Sequence, residues 1–218
     1  MHKLKLPKIS ELINTSHNDE EDPVNHYYKP VISYVYKKRL KLCLELIKNK
    51  KFDTILDVGY GSGIFLPTLK GIGNKLYGLD EHKFDKEVLN SLKKLDINVD
   101  LTSADLTKMP YENEKFDAII SISAYEHIKN LDIAMEELNR VLKIGGFVYI
   151  GVPVKNKLTN IFFELVGKHL PTNEMHPSSQ KDIIKALNNK FKINKILTFP
   201  KFSPIDYSLY VVIEAIKV

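Results

Sequence analysis

Residues 55–65 read ILDVGYGSGIF, a short strand-type run that passes into three glycines at alternate positions and then into apolar residues of a helix start. No other segment restricts the fold as strongly. Glycine tolerates positive φ and lets a ligand approach the backbone, and a following helix offers N–H groups with no intrahelical partner. A strand–loop–helix unit of this kind predicts a ligand site. The spacing is Gly59-x-Gly61-x-Gly63, whereas a dinucleotide fingerprint G-x-G-x-x-G needs its third glycine at position 64, where Ile64 stands. That difference counts against a nicotinamide enzyme.

Strand-type runs recur after this unit, at 75–80, 99–105, 116–123 and 146–153, and helical patterns lie between most of them. The clearest helix is predicted over 131–142, where Leu131, Ala134, Met135, Leu138, Val141 and Leu142 form a stripe. Asn130 can cap its start and Gly145–Gly146 can end it. Strands alternating with helices imply a parallel sheet covered on both faces. Beyond Pro153 a helical insertion is expected over 158–169, with an apolar stripe of Leu158, Ile161, Phe162, Leu165 and Val166. A turn with Pro171 and Pro177 comes next, then Ser179-x-x-Asp182 as a capping box for a helix to Asn189, then closing strands at 191–199 and 208–217.

The glycine loop and the segments after it resemble the class I S-adenosylmethionine-dependent methyltransferases, in their broad small-molecule (type 11) branch. The resemblance spans about residues 52–153: D-x-G-x-G-x-G after the first strand, Asp80 ending the second strand 23 residues after Asp57, Asp105 after the third (SADL), then FDAIISISAYEHI and LNRVLKIGGFVYIG. It implies that Asp57 and the backbone of Gly59, Tyr60, Gly61 and Gly63 face the methionine portion of S-adenosyl-L-methionine. Asp80, with Glu81 beside it, would hold the ribose hydroxyls, Asp105 and the Leu106 N–H the adenine, and Ser123 would border the donor methyl. Tyr60 departs from relatives, which commonly carry a small residue or Cys there. Singly these acids also read as a strand-end carboxylate, a helix cap and a turn residue; jointly, at the ends of three successive strands, they can converge on one ligand.

The implied fold is α/β: a single Rossmann-like, doubly wound, mainly parallel seven-stranded sheet with an antiparallel C-terminal strand, an N-terminal helical arm and a helical insertion after the fifth strand. Residues 1–50 would form a cap and residues 51–218 the methyltransferase domain, with an acceptor-covering insertion at 154–180. The implied reaction is direct displacement, releasing S-adenosyl-L-homocysteine, onto an O, N or C atom of a small molecule that is lipid-linked, quinone-like or phosphorylated. No metal is expected. A non-catalytic S-adenosylmethionine-binding scaffold or partner subunit is the alternative.

Two residues stand where the resemblance places the transferred methyl. His127 can accept a proton from an incoming hydroxyl or amine, with Glu126 beside it, or it can only orient the acceptor or cap the next helix. His176, in EMHPSS, is expected to line the acceptor pocket or to be a turn histidine, and Tyr27 and Tyr28 to close over the site from the arm or to lie exposed in a linker.

Charge enters through one segment. The chain's net charge is +5, but residues 37–51 alone hold seven basic residues against Glu45, so the remainder is essentially neutral. An amphipathic helix is expected over 31–50, with Ile32, Tyr36, Leu40, Cys43 and Ile47 on one side and Lys37, Lys41, Glu45 and Lys48 on the other. Residues 31–51 then either face water or dock an anionic acceptor or membrane surface. Nucleic acid is disfavoured: residues 123–127 read SAYEH rather than an Asn/Asp-Pro-Pro-aromatic loop, and Cys43 lies upstream of the domain. Glu126 likewise lacks the second glutamate of protein-arginine enzymes. A single cysteine, an N-terminus without a signal-peptide apolar run, and no stretch of about 18–20 apolar residues predict a cytoplasmic protein, at most peripheral to the inner face of a membrane.

Overall fold

The computed structural model describes residues 2–13, 15, 23–165 and 176–218, excluding the side chains of Phe162, Phe163 and Leu165. Of the predicted insertion, the side chains of Phe162 and Leu165 and residues 166–169 lie outside the described residues, as does Pro171 of the turn after it. Seven strands form one sheet in the order β3-β2-β1-β4-β5-β7-β6. They are β1 (Phe52–Val58), β2 (Gly73–Asp80), β3 (Asp100–Ser103), β4 (Phe116–Ile122), β5 (Leu142–Pro153), β6 (Lys192–Phe199) and β7 (Tyr210–Ile216). β1 to β5 are mutually parallel, and β7 runs antiparallel to both its neighbours. This is the Rossmann-like arrangement expected of the sequence.

Because side chains alternate across a strand, neighbouring apolar residues feed two different cores. Ile55, Ala118, Ile120 and Tyr149 pack on one face, with α1 (Ile32–Ile47), the short α2 (Leu66–Leu69) and α3 (Asp85–Lys94). Leu56, Val58, Ile119, Val148 and Ile150 pack on the other, against α4 (Leu131–Val141) and α6 (Gln180–Lys190). Burial on both faces explains why β1 and β4 read as near-continuous apolar runs. Between β5 and α6 lies α5 (Lys157–Leu165).

Chain order explains where a ligand fits. After β1 the chain moves outward through β2 and β3, then returns to place β4 on the other side of β1. Loops leaving β1 and β4 therefore diverge, and a crevice opens at their carboxyl ends.

The predicted caps at Asn130 and Ser179 form: Asn130 accepts from Ile133 N–H at 3.3 Å, and Ser179 and Asp182 make a reciprocal capping box. Two local expectations change. α4 stops at Val141, four residues before Gly145, because the amides of Glu114 and Lys115 donate to the carbonyls of Arg140 and Val141 at 2.9 Å. Gly145 instead lies inside β5 at φ 76°. The basic helix is also not simply two-sided, since Leu42, Leu44 and Leu46 are buried as well as the predicted stripe. Arg39 turns inward at 7% exposure, Lys50 Nζ pairs at 2.5 Å with the buried Glu214 of β7, and Lys51 Nζ donates to Gly71 O. Three of the seven cations are thus committed to the fold. No helix among the described residues is long and apolar enough to cross a membrane.

Candidate active site

The glycine loop is tied to the exit of β2. Gly59, at φ 76°, donates its N–H to Leu79 O at 2.8 Å, and a Cβ there would lie 2.6 Å from Ala124 Cβ. Only glycine meets both demands. Asp80 Oδ2 accepts Gly61 N–H at 2.8 Å, while Asp80 Oδ1 accepts Glu81 N–H at 2.8 Å. His82 completes the clamp: its Nδ1 accepts Phe84 N–H at 3.2 Å, so its proton sits on Nε2, which donates to Gly61 O at 3.0 Å. A histidine two residues past a strand-end acid carries no strong sequence signal, so only the fold reveals the role of His82.

The loop opens on a cavity of about 740 Å³, within the range typical of small-molecule sites. Asp57, Gly59, Tyr60 and Gly61 line it from the β1 side, Asp80 and Glu81 from β2. Asp105, Leu106, Ser123 and His127 line it from the loops after β3 and β4. Gly63, predicted with them, does not; its φ is 75°, and a Cβ there would lie 3.2 Å from Leu92 and 3.3 Å from Val88, so the position serves close packing against α3. Asp105 serves two readings at once, since Oδ1 accepts from the N–H and hydroxyl of Thr107 at 2.7 Å while the residue faces the cavity. Tyr60 lays its ring against His82 and the backbone of Gly78, and its buried hydroxyl has no hydrogen-bond partner.

Electrostatics follow from crowding acids beside low-dielectric walls. Burial, reinforced by the like charge of Asp80, pushes the Asp57 carboxyl up to about 7. Glu81 is raised in the same sense by burial, Asp105 and Asp80. Such a rim favours a cationic or hydroxyl-bearing ligand.

Arg39 of α1 supplies the opposite charge. It lines the cavity, places its guanidinium carbon 3.8 Å from the Tyr36 ring centroid, and donates from Nη1 to Ser123 Oγ at 3.2 Å. Ser123, at φ 64°, also meets Tyr210 Oη at 2.9 Å. Arg39 Nε is buried without a partner. The sequence placed this residue among surface lysines; its position between Tyr36 and Leu40 on the buried helix face was the available signal.

Glu126, His127 and His176 come together beside the cavity. Glu126 is 3% exposed and its carboxyl is pushed up by burial, against the pull of His127, Arg39 and Ser123. The His127 and His176 rings meet edge to face with centroids 4.7 Å apart, and burial lowers His176 to about 4. Only His127 of the three lines the cavity itself. Tyr28 does not reach it: its hydroxyl donates to Pro7 O at 2.6 Å and ties down the N-terminal segment, while Tyr27 lines the cavity.

The donor set fits a sulfonium nucleoside with an amino-acid tail. Its lining combines the carboxylates of Asp57, Asp80, Glu81 and Asp105, which can accept from hydroxyl and amino groups, with the buried Arg39 guanidinium, which can meet a carboxylate. Comparison with known proteins agrees. A family model described as a methyltransferase domain matches residues 56–150. The chain is 25% identical, over 88% of its length and 86% of the relative's, to the ubiquinone biosynthesis O-methyltransferase of Pelagibacter ubique. It is 26% identical, over 75% of its length and 69% of the relative's, to the demethylmenaquinone methyltransferase of Staphylococcus carnosus. A crystal structure of a SAM-dependent methyltransferase from Aquifex aeolicus superposes with a TM-score of 0.64 at 20% identity, covering 85% of this chain and 98% of the other, which speaks to the fold. Residues 56–150 are thus a methyltransferase domain, set in a fold shared with S-adenosylmethionine-dependent methyltransferases.

Proposed function

We propose that the acceptor is a small molecule of the quinone-like, hydroxylated-ring class, methylated at a site beside His127. The observation that carries this reading is the convergence of the glycine loop, Asp80, Asp105 and Arg39 on one cavity whose wall includes His127. The names of the two quinone-pathway relatives support the acceptor class. S-adenosylmethionine supplies an electrophilic methyl on sulfur, and displacement depends chiefly on holding the acceptor atom in line at roughly 3–3.5 Å. His127 orients the acceptor hydroxyl or takes its proton.

In the same reading, Asp57 faces the ammonium group and Arg39 the carboxylate of the methionine portion. Each carboxylate oxygen has two lone pairs, so Asp80 can hold the loop amides and still accept from the ribose hydroxyls. Asp105 and the Leu106 N–H serve the adenine. Calorimetry with S-adenosylhomocysteine tests these roles. Asp80→Ala is expected to weaken binding by about 100-fold or more, as loss of two charge-assisted hydrogen bonds requires. Arg39→Met should weaken S-adenosylhomocysteine yet leave methylthioadenosine, which lacks the carboxylate, nearly unaffected; equal losses would remove Arg39 from the carboxylate. Release of S-adenosylhomocysteine with hydroxylated quinols, but not with lipid-linked or phosphorylated compounds lacking such a ring, would establish the acceptor class. The reverse pattern would refute it.

A further inference from the structure

Beside the cavity, three groups of metal-ligating chemistry stand together. Glu126 and His127 belong to a 3₁₀ turn after β4 (Tyr125–His127), and His176 comes from the segment before α6, 49 residues further along the chain than His127. One potential ligand atom from each lies within 4.8 Å of the other two. The cluster is built by tertiary contacts: Ser178 N–H donates to Glu126 O at 3.2 Å, and Ser178 Oγ donates to Ile128 O at 2.5 Å. These bonds fasten the stretch of chain that carries His176 onto the turn.

One member lacks a partner that its surroundings call for. Glu126 Oε2 is buried and accepts no hydrogen bond, in a side chain more than nine-tenths buried. Among the described residues no ion pair joins it to Arg39, whose Nη1 is directed at Ser123. An unsatisfied buried carboxylate oxygen is costly, and a cation held between it and the two imidazoles would satisfy it. Two imidazole nitrogens and one carboxylate oxygen form a donor set used by zinc and by other first-row divalent ions, and it leaves coordination positions open.

We propose that Glu126, His127 and His176 bind one divalent first-row transition cation of the zinc type, with an open position turned toward the cavity that His127 lines. A hydroxyl oxygen bound there would release its proton to solvent more readily. Its lone pair would then form the new O–C bond, and the S–C electron pair would stay on sulfur as a neutral thioether. That use of the metal rests on the methyltransferase reading, gives His127 the orienting role through the metal in place of the proton-accepting one, and selects oxygen acceptors; the site itself rests only on the three ligands.

The test uses full-length protein stripped with a chelator and titrated with Co²⁺, whose visible ligand-field bands report nitrogen and oxygen ligation. One ion per chain is expected, displaced by Zn²⁺, with His176→Ala and Glu126→Gln each weakening it by at least about 100-fold. His127→Ala, a change at an exposed side chain, gives the same prediction without risk to the core. Absence of bands, or binding unchanged in the three variants, overturns the site. S-adenosylhomocysteine calorimetry on the same samples separates the two readings. Retained nucleoside binding without cobalt binding removes the metal alone, and lost nucleoside binding removes the cofactor reading.

Discussion

Asp57 gives the sharpest quantitative expectation. Its carboxyl is buried beside Asp80, and burial with that like charge pushes it up to about 7. A ligand ammonium beside it favours the charged form, so binding must expel the proton wherever the empty site holds one. With a pKa of about 7, roughly a tenth of the sites are ionised at pH 6 and nine-tenths at pH 8. Affinity for S-adenosylhomocysteine should therefore rise about tenfold across that interval, with close to one proton released per ligand at pH 6 and about a tenth at pH 8. Calorimetry in two buffers of different ionisation enthalpy reads the proton count directly. Asp57→Asn is the reference, because the ligand's own ammonium titrates alike for both proteins. The sign for stability is opposite. A carboxyl raised from 3.8 to about 7 on folding adds no penalty below pH 4, a growing one between, and a full one above pH 7, of order 4 kcal/mol. Empty wild-type protein should lose stability over that range relative to Asp57→Asn. Parallel pH profiles for the two proteins would refute the whole chain of reasoning.

Two further substitutions probe the scaffold. Gly59→Ala forces a methyl group to within 2.6 Å of Ala124 Cβ at a positive φ, so cofactor binding measured by calorimetry should fall by at least about tenfold while the circular dichroism spectrum stays native. Leu138→Ala, at a fully buried position of α4, should cost about 2–5 kcal/mol in urea unfolding with the cofactor affinity of the folded protein unchanged.

Much of the site was legible in the sequence because its parts are local. A strand that runs into Gly59-x-Gly61-x-Gly63 has few conformations open to it, and acids at successive strand ends meet whenever those strands lie side by side in parallel. Helix starts were equally readable at Asn130 and Ser179, where one side chain satisfies an orphan amide of its own turn. The end of α4 was not, since its last carbonyls are satisfied by Glu114 and Lys115 from a different segment rather than by the nearby glycines.

What only the tertiary structure decided concerns charge and long-range pairing. Residues 37–51 read as the basic side of an amphipathic helix, yet the fold sends Arg39 into the cavity and Lys50 onto Glu214, 164 residues away. Tyr28 and Tyr27 are neighbours in sequence, but one holds Pro7 and the other faces the site. Glu126, His127 and His176 form a cluster only because Ser178 is fastened to the turn after β4. Periodicity and short motifs record forces that act within one element. The direction of a long charged side chain, and the company a histidine keeps, depend on which distant element folds over it.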